Sequence, residues 1–289
     1  MKKTAEIVLN HFCELGEGPV WDAARNCILW VDITKGEIHQ YFIADKKHKV
    51  FNAGQMVGAI ALAGNGKLIA ALQHGFFSID LETQSMRAIA DPEAALPHNR
   101  FNDGKCDPVG RFWAGTMSIT DQEKTGKLYM LDTDYVVSTK IDNVTCSNGM
   151  AWSPYCKTFY YIDTGAQEVV AYDYDIVNAE ITNKRSIIKI ATEKGYPDGM
   201  TIDAEGMLWV AIWGGWKIER YDPGTGQLLD KVHLPVSLVT SCTFGGENLE
   251  DLYITTARAG LSEKQLRSQP NAGALFVVRK TGCQGIPRD

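Results

Sequence analysis

The chain has 289 residues, 45% of them hydrophobic and 10% aromatic, which supplies a large buried core and excludes a disordered protein. Its 29 basic and 35 acidic residues give a net charge of −6, and no basic block exceeds the Lys-Lys pairs at 2–3 and 46–47. Nucleic acid is therefore excluded as the expected partner, because phosphate binding requires clustered positive charge. The seven cysteines are scattered and never form a Cys-x-x-Cys pair, which argues against a zinc cluster or disulfide frame and for a reducing compartment. The opening residues carry only the short apolar run Ile7-Val8-Leu9, too little for a signal-peptide core. No apolar stretch reaches the roughly 20 residues that span a bilayer. A soluble, cytoplasmic protein without a membrane partner is the expectation.

In chain order, residues 4–10 (TAEIVLN) read as a strand, and six similar units follow. They open EGPVWDAARNCILWVD (17–32), VGAIALAGNGKLIAAL (57–72), DGKCDPVGRFWAGT (103–116), NGMAWSPYCKTFYYID (148–163), DGMTIDAEGMLWVAI (198–212) and SCTFGGENLEDLYITT (241–256). Each has a small second residue, a short apolar strand, a turn and another strand. The second residues, Gly18, Gly58, Gly104, Gly149, Gly199 and Cys242, recur every 40 to 50 residues. Alternating runs between the openings, such as EIHQYFI (37–43) and EVVAYDYD (168–175), read as outer strands joined by Asp/Gly/Asn turns.

Short strands in units of this length are the signature of a β-propeller with one four-stranded blade per unit. Six units must close into a ring, because an open array leaves strand edges that pair with other chains. The extra strand at 4–10 and the run GALFVV (273–278) are suited to completing one blade together. The expected fold is all-β, a single six-bladed β-propeller domain over residues 1–289 whose last blade is closed by both ends of the chain.

The residue before each small second residue occupies one structural place in all six blades, at the start of the innermost strand and beside the central channel. These residues are Glu17, Val57, Asp103, Asn148, Asp198 and Ser241. Taken singly, the Asp-Gly and Asn-Gly pairs are explained by tight turns. Taken together they converge on one axis, where three carboxylates without a counter-ion repel and resist ionisation. A bound divalent cation removes that conflict. Oxygen donors suit Ca²⁺, Mg²⁺ or Mn²⁺, with Zn²⁺ an alternative. Glu17, Asn148 and Asp198 form the best ligand set, and three protein ligands leave coordination positions open, the pattern of a catalytic site.

Other signals are weaker. His74 reads as a turn residue, and the histidines at 11, 39, 48, 98 and 233 show no paired spacing, so no histidine-based zinc site is expected. The tryptophans, among them Trp30, Trp113, Trp152 and Trp209, recur at strand positions and read as packing between blades.

The stretches ELGEGPVWD, RFNDGKCDPVGRFWAGTM, SNGMAWS, YPDGMTIDAEGMLWVA and TSCTFGGENLEDLYITTAR resemble, in order, the senescence marker protein-30/gluconolactonase family. The resemblance implies a six-bladed propeller that hydrolyses sugar lactones with one divalent cation, Ca²⁺ first among the candidates. It places the family's metal ligands on Glu17, Asn148 and Asp198, the positions the repeat had selected. It also implies substrate binding by Arg100 and Asn102 of RFNDGK, presented by a turn at Asp103-Gly104, with Asp103 a candidate secondary channel site. For Arg100 the competing reading is a surface salt bridge. One departure concerns the sugar: animal members carry a Glu shortly after GTM, where this chain has Thr120, with Asp121 and Glu123 out of register.

The mechanism expected from these residues is attack of water on a metal-polarised lactone carbonyl, with Asp198 as general base. Water activated by the ion alone is the competing form of that step. Two alternative functions keep the fold: an organophosphate or aryl ester hydrolase, and a non-catalytic calcium-binding protein.

Overall fold

The computed structural model describes residues 3–64, 66–120, 122 and 124–287. Among these residues the chain forms six antiparallel four-stranded sheets arranged as a ring of blades. The inner strands are Gly16–Asp22, Val57–Leu62, Asn99–Cys106, Ser147–Trp152, Tyr196–Ile202 and Val239–Gly245, and each packs on the inner strands of both neighbouring blades, the sixth returning to the first. Blades 1 to 5 each consist of four consecutive strands. Blade 6 is built from both ends of the chain, Ala5–Ile7 pairing antiparallel with Phe276–Val278. The expected ring and its closure are both observed.

The second strands are apolar on both faces because each blade is covered by two others, whereas the outermost strands are largely exposed. In Cys27–Asp32, Cys27, Leu29 and Val31 join the cluster shared with blade 2, while Ile28 and Trp30 join the one shared with blade 6. The period-2 alternation of a strand thus divides residues between two cores rather than between core and solvent. Six such clusters lie between successive blades. Large aromatics bridge them: Trp113 of blade 3 lies 5.7 Å from Trp152 of blade 4, and Trp209 of blade 5 lies 5.6 Å from Phe244 of blade 6. Asp107 and Asp203, just past their inner strands, accept the indole N–H of Trp113 and Trp209 at 3.2 and 2.9 Å and also cap the following turns.

The Asp-Gly and Asn-Gly pairs do not form turns. Asp103-Gly104, Asn148-Gly149 and Asp198-Gly199 all lie inside inner strands. Of the five repeat glycines only Gly18 has a left-handed φ, 50°. What the position carries instead is a break in strand register. It falls between Glu17 and Val20, Val57 and Ala59, Phe101 and Asp103, Asn148 and Met150, Pro197 and Met200, and Val239 and Ser241. A β-bulge bends its strand and re-aims a side chain, here once per blade. The glycines allow the inner strands to touch: a Cβ at Gly149 would sit 2.6 Å from the Met200 Cβ and 2.8 Å from the Asp198 carbonyl oxygen.

Candidate functional site

Three devices set the bulged residues in place. Asp32, at the end of the second strand of blade 1, accepts the Glu14 and Leu15 backbone N–H groups at 2.7 and 3.1 Å, pinning the segment that leads to Glu17. In blade 4, Asp163 accepts the N–H groups of Thr145 and Cys146 at 3.0 and 2.9 Å, ahead of Asn148. Thr164 ties blade 4 to blade 5. Its Oγ1 accepts from Asn148 Nδ2 at 2.9 Å and donates to the Pro197 carbonyl at 2.8 Å, one residue before Asp198.

These contacts use the nitrogen end of the Asn148 amide. Its oxygen Oδ1 is buried and has no hydrogen-bond partner among the described residues, although an unsatisfied buried acceptor costs about 1–3 kcal/mol. In the same cluster Asp198 is hydrogen-bonded to Asn148 and Glu17 and feels the charge of Asp103, and each of these three carboxyl groups accepts from the N–H of the glycine that follows it. Gly18 N donates to Glu17 Oε2 at 2.8 Å and Gly104 N to Asp103 Oδ1 at 2.7 Å. Asp198 is held in the same way by Gly199.

The electrostatics follow the crowding. Burial, and then the charge of Asp103, push Asp198 well above the usual carboxylate range, against hydrogen bonds from Asn148, Gly199 and Glu17. Burial, then Asp198 and Asp103, raise Glu17 in the same way, with Arg100 opposing. Asp103 is raised by burial, with Lys105 and the Gly104 N–H opposing. Such a group favours cation binding, because an ion supplies the counter-charge that the carboxylates lack.

Arg100 does not form the surface salt bridge considered above. It is buried, and its Nη1 donates to the Phe101 carbonyl at 2.9 Å and to Asn102 Oδ1 at 2.7 Å. Asn102 Nδ2 donates across the blade boundary to the Ser147 carbonyl at 2.8 Å. Both ends of the Asn102 amide are thus engaged within the protein, and its direct effect is to orient Arg100. Burial lowers the Arg100 pKa, while Cys146, Glu17 and Asp198 oppose that shift, which places the guanidinium within reach of the carboxylate field. Thr120 is exposed and its Oγ1 lies 3.0 Å from Ser118 Oγ; Asp121 and Glu123 lie outside the described residues.

A concavity of about 630 Å³ on the outer face of blade 4 is lined by Lys157, Asp173 and Glu180. Its acid Asp173 is exposed and satisfied by Asn183 and Arg185, so nothing there matches the convergence of unsatisfied groups in the channel.

Against the expectation from spacing, the fold also gathers histidines. Donor atoms of His11, Cys13 and His39 all lie within 4.8 Å of one another, with His48 beside them. The sequence hid this because the residues come from a connecting segment and two antiparallel strands. Tyr41 pairs with His48 and Val50 with His39, which sets His39 and His48 diagonally on one face.

Comparison with known proteins agrees with this architecture. The SMP-30/Gluconolactonase/LRE-like region matches residues 15–258. Regucalcin of Bos taurus is 41% identical over 287 residues, 98% of this chain and 96% of that protein. A luciferin-regenerating enzyme superposes with a TM-score of 0.93 at 34% identity, covering 99% of this chain and 98% of that one. A calcium-binding protein, regucalcin, from Agrobacterium tumefaciens superposes with a TM-score of 0.95 at 27% identity, covering 100% of this chain and 97% of that one. No helix among the described residues is long and apolar enough to cross a membrane. With a family match over most of its length and relatives aligned nearly from end to end, the chain belongs to the SMP-30/gluconolactonase/LRE-like family.

Proposed function

We propose that the channel hydrolyses sugar lactones to hydroxy acids, using one divalent cation held by Glu17, Asn148 and Asp198. The observation that carries the reading is a buried cluster in which Asn148 has an unpartnered Oδ1 and hydrogen-bonds Asp198, which is itself hydrogen-bonded to Glu17. The residues fit such an ion: all donors are oxygens, two bear charge when ionised, and Thr164 holds the amide by its nitrogen. An all-oxygen set favours a hard cation, Ca²⁺ first and Mg²⁺ or Mn²⁺ next, with Zn²⁺ less well matched. Family membership supports a lactonase or calcium-binding role.

When bound, the cation supplies Lewis-acid polarisation of a carbonyl oxygen, worth several kcal/mol in the transition state. The protein's own residues do the rest. Asp198 takes a proton from water as its oxygen forms a bond to the carbonyl carbon. The ring C–O bond then breaks, and the proton passes to the departing ring oxygen. Arg100, held by Asn102, donates hydrogen bonds to a sugar oxygen and orients the ring. Asp103, one bulge away, adds negative potential to the channel and serves as the secondary site.

The test is proton release by chelator-treated protein on a panel of aldonolactones, an aryl ester and an organophosphate, before and after divalent ions are restored. Lactone turnover that returns with the ion is expected. Turnover of the phosphate ester alone would transfer the site to that chemistry, and binding of the ion without turnover of any substrate would leave a calcium-binding protein. In the same assay Arg100→Ala is expected to raise KM about tenfold, equivalent to about 1.4 kcal/mol, with kcat changed far less. An unaltered KM would remove Arg100 from substrate binding.

A further inference from the structure

We propose that His11, Cys13 and His39 form a second metal site, for a transition metal of the zinc class, which fastens the segment between the closing strand of blade 6 and blade 1. The site is separate from the channel and rests on different residues.

The Cys13–His39 edge of the cluster is close to what such an ion requires, and binding would draw the donors together from a spread of up to 4.8 Å. With bonds of roughly 2.0–2.1 Å to nitrogen and 2.3 Å to sulfur, tetrahedral coordination sets the S···N separation near 3.6 Å. Cys13 Sγ lies 3.8 Å from His39 Nε2. On the other side of the ring, His39 Nδ1 lies 3.1 Å from His48 Nε2. With Nδ1–H as the donor in that contact, Nε2 presents its lone pair toward Cys13. A second hydrogen-bond partner of this kind fixes the tautomer and orientation of metal-binding imidazoles. His48 is accordingly a positioning residue.

Two further features point to a missing ligand. His11 Nε2 is buried with no hydrogen-bond partner among the described residues, and its ring centroid lies 4.8 Å from that of His39. Glu37 Oε2 lies 3.5 Å from His39 Nε2; in the tautomer protonated at Nδ1, a cation between them would satisfy both the lone pair and the carboxylate oxygen. Glu37 is therefore the nearest candidate for a fourth donor. Stacking explains part of the cluster, since Trp30 lies on His39 at 4.9 Å and 13°. It does not account for the unpartnered His11 nitrogen or for a sulfur held by the Trp30 N–H at 3.3 Å.

Burial pushes the Cys13 thiol up to about 12, so forming the thiolate ligand carries a cost that the bond to the ion must offset. Binding converts Cys13–SH to a metal-bound thiolate and releases one proton to solvent. A nitrogen and sulfur set selects zinc-class ions over Ca²⁺ or Mg²⁺, which keeps this site and an all-oxygen channel site from competing. Its position gives it a mechanical effect: His11 and Cys13 lie in the connecting segment, whose Cys13 N–H donates to the Gly273 carbonyl at 2.8 Å, while His39 lies on the third strand of blade 1.

The experiment uses full-length, chelator-stripped protein titrated with Co²⁺ in buffer containing excess Ca²⁺. One equivalent of Co²⁺ is expected to give a thiolate-to-cobalt charge-transfer band and the visible bands of a four-coordinate ion, both abolished by Zn²⁺. Cys13→Ser should lose the charge-transfer band, and Glu17→Gln should keep it. His11→Gln, which alters a partly exposed residue and should fold whatever Cys13→Ser does, should weaken Co²⁺ binding at least tenfold. Absence of the thiolate band in the unmodified protein, its persistence in Cys13→Ser, or its loss in Glu17→Gln would each overturn the proposal.

Discussion

Asp198→Asn is expected to abolish lactone hydrolysis while leaving the propeller folded. The loss in kcat should be on the order of 10³-fold or more, because the amide can neither accept the proton of the attacking water nor offer a charged oxygen to the ion. The effect on stability should run the other way. Asp198 is buried and its pKa in the folded protein lies well above the ordinary 3.8. A group shifted upward contributes stability that is fully present below the unfolded pKa and is lost as pH rises toward the folded one. As pH rises from the unfolded pKa toward 7 that contribution falls in the metal-free protein, and asparagine, which does not titrate, avoids the fall. Chelator-treated Asp198→Asn should therefore melt at or above the temperature of the chelator-treated parent. Calorimetry at pH 5 and pH 7, alongside the proton-release assay, checks both statements. Full activity in the variant, or a melting temperature well below the parent's at pH 7, would contradict the role given to this carboxyl group.

Gly149→Ala should damage both the fold and the site. The added methyl would meet the Met200 Cβ at 2.6 Å, the Asp198 carbonyl oxygen at 2.8 Å and Ile162 Cδ1 at 2.8 Å. Two of these contacts belong to the neighbouring inner strand, and one is backbone, so no single flexible side chain can move aside. Blades 4 and 5 must separate, at about 1–3 kcal/mol or somewhat more. Those blades carry Asn148 and Asp198, so the separation should also weaken binding of the activating ion and lower kcat. Denaturant unfolding gives the stability term, and titration of the divalent ion against activity gives the other. Loss of stability without any change in ion requirement would mean that Asn148 and Asp198 do not act on one ion.

Much of this arrangement was legible because the repeat imposes equivalence. Once Glu17, Asn148 and Asp198 hold the same place in different blades, a ring directs them to a common axis, and no knowledge of side-chain angles is needed. Unbroken apolar runs such as CILWVD belong to the second strands, which are covered on both faces. The local geometry was not legible. Asp-Gly and Asn-Gly serve tight turns and bulges alike, since both exploit a residue without a Cβ, and only the register of the neighbouring strand separates the two. The work of Asn102 was hidden for a similar reason: its partners, Arg100 and the Ser147 carbonyl, lie on two blades. The histidine cluster was invisible to spacing, because His11 and Cys13 meet His39 through the closure of blade 6 onto blade 1, a contact that exists only in the finished ring.

The pairing of Ala5–Ile7 with Phe276–Val278 also orders the birth of the molecule. Five blades are consecutive hairpins that can assemble as they leave the ribosome, each on contacts of short sequence separation. The sixth must wait until the far terminus has been synthesised, holding its first strand in reserve throughout. Until that moment the nascent chain presents an unpaired edge at each side of the gap, the condition in which strands add to strangers. Capture of the last strand by the first is therefore the step that removes these open edges from the reach of other chains.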